Sequence, residues 1–321
     1  MTVDGPNTAV AIGEIRTGLL SNSGTLPRGE LNRLLDLVPG EPVRHWERPI
    51  GRAVSPDLAN GVDCLIPMAD NTRLRAVGTV LTNAVVTGGR ILQTASLTRI
   101  DGTGSRSRRP WSHYTAQPGL LETLGSVTPG DLLDGYLEAK TTPEHLDLNA
   151  TSNRLSLRLQ KSPQLDRRIP LRFTWTRLRW VARLDSTLLA PATPAAQFYL
   201  NGDTVRSLRI WAPGVRLPDL VDLCLDLALH DWVLTTLTQR INQVDPGSGD
   251  RANTISKLRP VIDHLLHLWM PGAQVDRGLM SIWTDLERKP GFTRQWESSV
   301  NRVRDQVALH TLQLLSDAPV R

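Results

Sequence analysis

The stretch Pro218–Gln243, PDLVDLCLDLALHDWVLTTLTQRINQ, limits what this chain can fold into. Most of its positions up to Leu237 are apolar, and they fall on nearly every face of a helix. A helix that is hydrophobic almost all round is a buried one. It does not read as a membrane span, because Asp222, Asp226, His230 and Asp231 interrupt it. The stretch therefore predicts the central helix of a helical region, with Cys224 as a small buried hydrophobe.

Downstream, the pattern predicts a helix from about Arg251 to Met270, started or kinked at Pro260, and a short one after Asp276. A last helix spans about Thr293 to Leu315, with Trp296, Val300, Val303, Val307 and Leu314 on its core face. Upstream the signals are mixed. Ala9 to Leu20 reads as a strand and Arg28 to Val38 as a short helix, while Val43 to Pro67, broken by prolines, reads as extended structure with loops. Two β-branched runs flank Thr87-Gly88-Gly89-Arg90, a hairpin signal because tight turns need positive φ. Helices are expected near Leu120 to Leu124, from Thr128, whose hydroxyl suits a cap, and over Leu148 to Gln160. Ile169 to Leu184 and the two runs around Asn201-Gly202, a type I′ turn pair, read as three strands of one antiparallel sheet. The expected fold class is α+β: a β-rich N-terminal region with short helices over residues 1–215, and an α-helical C-terminal bundle over residues 216–321 packed on it.

Charge is uneven. The chain carries a formal net charge of +5, almost wholly on arginine, since Lys140, Lys161, Lys257 and Lys289 are its lysines. Residues 1–215 hold 25 basic and 19 acidic side chains, and residues 216–321 hold 12 and 13. Cys64 and Cys224 make neither a disulfide framework nor a zinc knuckle. The N-terminus lacks the basic start and apolar core of a signal peptide, so a cytoplasmic location is expected.

Three constellations could carry chemistry. His264 and His267 lie three apart, beside Asp263, and with His230 they could face one metal ion. They lack the zincin H-E-x-x-H pattern, and histidines that cross-link helices by hydrogen bonds are the structural alternative. No metal and no cofactor is expected. Asp222, Asp226 and His230 recur every fourth residue; buried carboxylates need partners, and a seam of arginine pairs is the expected one. The third constellation is basic. Between Ser152 and Arg183 nine Lys/Arg face only Asp166. Arg172, Arg177 and Arg179 alternate with Phe173, Trp175 and Trp180, and Arg106, Arg108 and Arg109 adjoin Trp111, His113 and Tyr114. Guanidinium for phosphate and ring for base is what single-stranded nucleic acid requires. Arginines that snorkel, or pair inside the fold, are the alternative. A surface tryptophan, if there is one, is expected at Trp46 or Trp111, both in Pro-rich segments.

The blocks AVVTGGRILQ, RPWSHY, DLALHDWVLTT, RPVIDHLLHLWMPGA and PGFTRQWESSVNRVRDQ resemble a family of actinobacterial proteins with no known activity. The family's genes tend to lie beside those for a variant P-loop protein and a methyltransferase-like protein. The resemblance covers most of the chain, from Ile12 to Leu315. It implies an intracellular setting and assigns no role to any position. The leading expectation is a non-enzymatic interaction or assembly protein with a protein partner, the neighbouring P-loop protein among the candidates. Binding of single-stranded nucleic acid or another polyanion is the second, and an enzyme with an unrecognised site the third.

Overall fold

The computed structural model describes residues 10–68, 73–102, 107–138, 142–169, 173–184, 195–243, 259, 262, 265–273 and 275–316. A ten-stranded sheet crosses the molecule. Strand β1 (Val10–Leu19) lies at its middle, between β6 (Ile91–Asp101) and β8 (Thr176–Arg183), both antiparallel to it. Beyond β8 come β10 (Val205–Trp211) and then β9 (Ala195–Leu200) at the edge. On the other side, β6 forms a hairpin with β5 (Leu74–Thr87), and β5 also pairs β3 (Arg52–Val54) and β4 (Leu58–Ile66). Strand β2 (Arg44–Trp46) extends this edge beyond β3.

The Gly-Gly signal holds. Gly88 and Gly89 take φ of 58° and 64°, and the Arg90 amide closes the turn on the Thr87 carbonyl at 3.1 Å. That is the type I′ geometry, closed to residues with a Cβ penalty at positive φ. The hairpin zips from Thr87↔Ile91 to Leu81↔Leu97 and then opens into a fork. Strand β7 (Leu120–Thr123) fills the fork, antiparallel to β5 and parallel to β6. This corrects the helix expected near Leu120. At the crotch, hydroxyls replace the interrupted ladder: Gly119 N–H donates to Thr79 Oγ1 at 2.8 Å, and the Thr98 hydroxyl lies 3.1 Å from the Thr79 carbonyl.

Helix α5 (Leu217–Asn242) lies across one face of the sheet, over β1, β6 and β8. Seventeen of its residues are buried, and Trp232, Leu223 and Leu237 have no exposure. The central-helix expectation is therefore correct. One core cluster joins α5 to Ile15, Ala95, Leu178, Trp180 and Leu208 of the sheet, so it includes residues from both sides of position 215. Gly13 is required here: a Cβ on it would lie 2.4 Å from the Trp180 ring, its partner across β1–β8. Helices α6 (Met280–Arg288) and α7 (Phe292–Ser316) flank α5 and the β9 edge. On α7, Trp296 and Val303 are buried as expected, but Val307 is exposed because the helix runs past the core. The helix expected from Arg251 to Met270 falls mostly outside the described residues; Leu266–Leu268 is a 3-10 turn.

The opposite face carries α1 (Arg28–Leu35), α3 (Pro129–Glu138) and α4 (Leu148–Gln160). Helix α1 is shorter than expected, and α4 has the expected bounds. The Thr128 hydroxyl accepts from the Asp131 amide at 3.2 Å, the cap read from the sequence. Helix α2 (Trp111–Thr115) precedes β7 in the chain. The mixed α and β content, with strands mainly before residue 215 and helices after it, agrees with the sequence. Two details differ. Strand β10 pairs β8 in parallel, because β9 takes the outer edge. At Asn201-Gly202 only the glycine has positive φ, so a wider loop replaces the type I′ turn; Arg206 donates to the Gly202 and Asp203 carbonyls and holds it.

Candidate functional site

A cavity of about 410 Å³ opens between the β2–β3–β5 edge and the start of α5. That lies within the usual size range of small-molecule sites. A bulge shapes it. Between the Val54↔Val85 and Leu58↔Thr82 pairs, three residues (55–57) oppose two (83–84). Ser55 bridges the break, donating its amide to the Ala84 carbonyl and accepting the Ala84 amide on Oγ. The extra residue turns Asp57 onto Asn83, whose Nδ2 donates to Asp57 Oδ1 at 2.8 Å. Bulges re-aim side chains in this way beside functional sites.

Asn83 is buried, lines the cavity, and its Oδ1 has no hydrogen-bond partner. Flipping the amide would set carbonyl against carboxylate at Asp57, so the network itself assigns the orientation. That oxygen is closed to the cavity, so it is a buried acceptor without a partner and not a contact that the cleft presents. The walls are apolar: Val54, Leu81, Leu97, Val221 and Leu225. Three arginines, Arg44, Arg48 and Arg52, also line the cavity. Arg52 is buried, with Nη1 at 3.3 Å from Asp222 of α5. Burial lowers its pKa and raises that of Asp222, each opposed by the charge of the other. Arg44 and Arg48 have no carboxylate at ion-pair distance among the described residues. Arg44 stacks over exposed Trp46 at 5.7 Å. The cleft thus offers three guanidinium groups against two carboxylates, Asp57 and Asp222, with an aromatic face and apolar walls.

Apart from Asp222 and Trp46, the residues singled out in the sequence lie elsewhere. Arg106, Arg172, Asp263 and His264 fall outside the described residues. Arg177 and Arg179 turn onto Glu14 of β1, at 3.4 and 2.9 Å. Arg108 lies 3.6 Å from Asp63 and stacks over Trp111 at 4.9 Å. Asp63 is held by Arg75 at 2.7 Å, and that hydrogen bond first of all lowers its carboxyl pKa. His113 Nε2 meets Glu122 at 2.6 Å and Arg109 at 3.2 Å, while buried Tyr114 accepts the Arg109 amide. Trp111 and Trp46 are both exposed, as expected. Strands β5, β6 and β1 separate this cluster on β4 from β8, so the structure does not bring the two arginine groups together.

On α5 the structural alternative describes the histidine and its neighbours. His230 Nδ1 lies 2.7 Å from the Asp226 carbonyl and Nε2 accepts the Met270 amide at 3.2 Å, which assigns the tautomer of a neutral ring. Asp226 Oδ2 accepts the Gly272 amide at 2.9 Å. Both side chains pin the 269–272 segment to the helix. Of the expected arginine seam over Asp222, Asp226 and His230, Asp222–Arg52 forms, whereas Asp226 bonds to backbone; Asp231, outside that stripe, pairs with buried Arg206 at 2.9 Å. Among the described residues no group of three or more His, Cys, Asp or Glu could hold a metal ion, and no helix is long and apolar enough to cross a membrane. Cys64 on β4 is half-buried, its thiol pushed up to about 11 by burial.

The sequence reasoning passed over Arg44, Arg48, Arg52 and Asn83. The segment RHWERPIGR has the arginine–aromatic interleaving that drew attention elsewhere, and that signal could have found three of the four. Comparison of the chain with protein-family models, with curated proteins and with solved structures finds no match.

Proposed function

We propose that this chain is a binding protein for an anionic small molecule, taken into the cleft between β2–β3–β5 and α5. The carrying observation is that Arg44 and Arg48, neither within ion-pair distance of a carboxylate among the described residues, line one cavity together with Trp46 and an apolar wall. The ligand carries an acid group for the arginines. A flat body fits beside it, against Trp46 and the apolar walls. This departs from the leading expectation of a non-enzymatic interaction or assembly protein, which named a protein partner and no small molecule. Assembly with a protein partner, the P-loop neighbour included, is a separate proposal, and a cavity of this size does not speak for it. Single-stranded nucleic acid binding has less support, since Arg177, Arg179 and Arg108 face carboxylates.

The test is calorimetric titration with a panel of nucleoside 5′-monophosphates and aromatic carboxylates. At least one is expected to bind, and Arg44→Gln with Arg48→Gln is expected to weaken it by about tenfold or more per arginine, the worth of a charge-assisted hydrogen bond. The melting temperature should stay nearly constant, because exposed charges contribute little to stability. Equal affinity in the double variant would remove the cleft from consideration.

A further inference from the structure

The cleft also holds a negative charge that the fold does not use. Asp57 is exposed and lines the same cavity as Arg44 and Arg48. Its Oδ1 accepts the Asn83 side-chain amide at 2.8 Å, and its Oδ2 takes no hydrogen bond or ion pair from the described residues. The other cleft carboxylate, Asp222, is engaged by Arg52 at 3.3 Å. With that pair set aside, two cations and one anion are left, all exposed and all without an ion-pair partner among the described residues.

Asp57 is held in place for this role. The buried Asn83 side chain fixes one carboxylate oxygen, and the bulge at 55–57 sets the backbone beneath it. The register gives the spacing. Arg44 lies directly across from Val54, and Asp57 follows Val54 by three residues, up to about 10 Å along an extended chain. That interval keeps Arg44 and Asp57 from neutralising each other and leaves room for a molecule that touches both. An acid without an amine would fill the cleft, strip water from Asp57 and give it no partner. An amine without an acid would do the same to the arginines. A desolvated charge without a partner is costly, so each wrong ligand is disfavoured by the group it fails to meet. A molecule with both charges meets all three. The rest of the wall is aliphatic, with Val54, Leu81, Leu97, Val221 and Leu225, and calls for an apolar body.

We infer that the cleft ligand is a zwitterion: an α-amino acid with a large apolar side chain. Its carboxylate meets Arg44 and Arg48, its ammonium meets Asp57 Oδ2, and its side chain lies on the aliphatic wall. This rests on the reading of the cleft as an anion site and narrows it to one ligand class.

The experiment is calorimetric titration of the full chain at neutral pH with two matched pairs, L-phenylalanine against 3-phenylpropionate and L-tryptophan against indole-3-propionate. The members of a pair differ in the ammonium group. In at least one pair the amino acid is expected to bind about tenfold or more tighter, the worth of a charge-assisted hydrogen bond. Asp57→Asn should bring that amino acid to within a few-fold of its des-amino partner, whose own affinity should not fall. The variant keeps an oxygen for Asn83 to donate to, so the melting temperature should stay nearly constant. Arg44→Gln with Arg48→Gln should weaken both members of the pair. A des-amino acid that binds as tightly as its amino acid overturns the inference and leaves the anion-binding cleft standing. So does a cleft that takes a nucleoside 5′-monophosphate and neither amino acid. A preference for the amino acid that persists in Asp57→Asn overturns it too, by placing the ammonium elsewhere. Binding of none of these compounds overturns the inference and the cleft reading together. If Asp57→Asn fails to fold, the comparison within each pair on the unmodified chain decides the matter.

Discussion

Trp232→Ala is expected to destabilise the protein by about 3–5 kcal/mol, the usual cost of truncating a buried aromatic. The side chain has no exposure, and its ring meets Phe173 edge-on at 5.8 Å. Its Nε1 donates to the Thr174 carbonyl at 3.0 Å, just before β8 begins. The indole thus ties α5 to the segment entering the sheet, and alanine removes the packing and leaves that carbonyl without its donor. Trp232→Phe keeps most of the apolar contact and loses chiefly the hydrogen bond, so its cost should be near 1–2 kcal/mol. Chemical denaturation of the two variants checks the order. Equal losses would mean that the hydrogen bond, not the ring, anchors the helix.

The second large effect is expected at Arg206 and Asp231. Both are buried, 2.9 Å apart, and burial raises the Asp231 pKa while the arginine holds it down. Arg206→Ala leaves an unpaired carboxylate in the core, and the expected loss is about 3–5 kcal/mol. It also frees the 201–204 loop, since Arg206 donates to the carbonyls of Gly202 and Asp203 as well as to Thr235. Arg206→Met combined with Asp231→Leu should recover much of that loss, because an apolar pair carries no desolvation penalty. Urea midpoints of the single and double variants measure the difference. A double variant as unstable as Arg206→Ala would show that the loop contacts outweigh the ion pair.

Helix α5 was legible because its apolar positions leave no face for water, whatever it packs against. The Gly88-Gly89 turn was legible because backbone geometry admits few other residues there. Strand β7 was not. Its four residues, LLET, show no periodicity, and only the slot between β5 and β6 makes them a strand. The order β8–β10–β9 was also hidden, since composition marks strands without saying which neighbour each one takes. The cleft was half visible. Arg44, Trp46, Arg48 and Arg52 are close in sequence, but Asn83 and Asp57 meet through a one-residue bulge, and Asp222 arrives from α5. Likewise, alternation showed Arg177 and Arg179 on one side of a strand. Glu14, which faces them, becomes their partner only through the β1–β8 register.

The fork in the β5–β6 hairpin also bears on the order of assembly. The turn end closes between near neighbours in the chain and can zip early, whereas β7 must arrive from beyond α2 and meet two strands at once. Contacts that span more chain form later and reopen first. Strand β7 thus joins the hairpin after its turn end has closed. Amide protons of residues 121–123 should therefore exchange with deuterium ahead of those of residues 91–97, although both stretches are buried. With β7 out, β5 and β6 would each expose an unpaired edge in the middle of the sheet, the kind of edge on which a second chain can template. The hydroxyls of Thr79 and Thr98, which engage the Gly119 backbone at the root of the fork, are then a guard against association as much as a detail of folding.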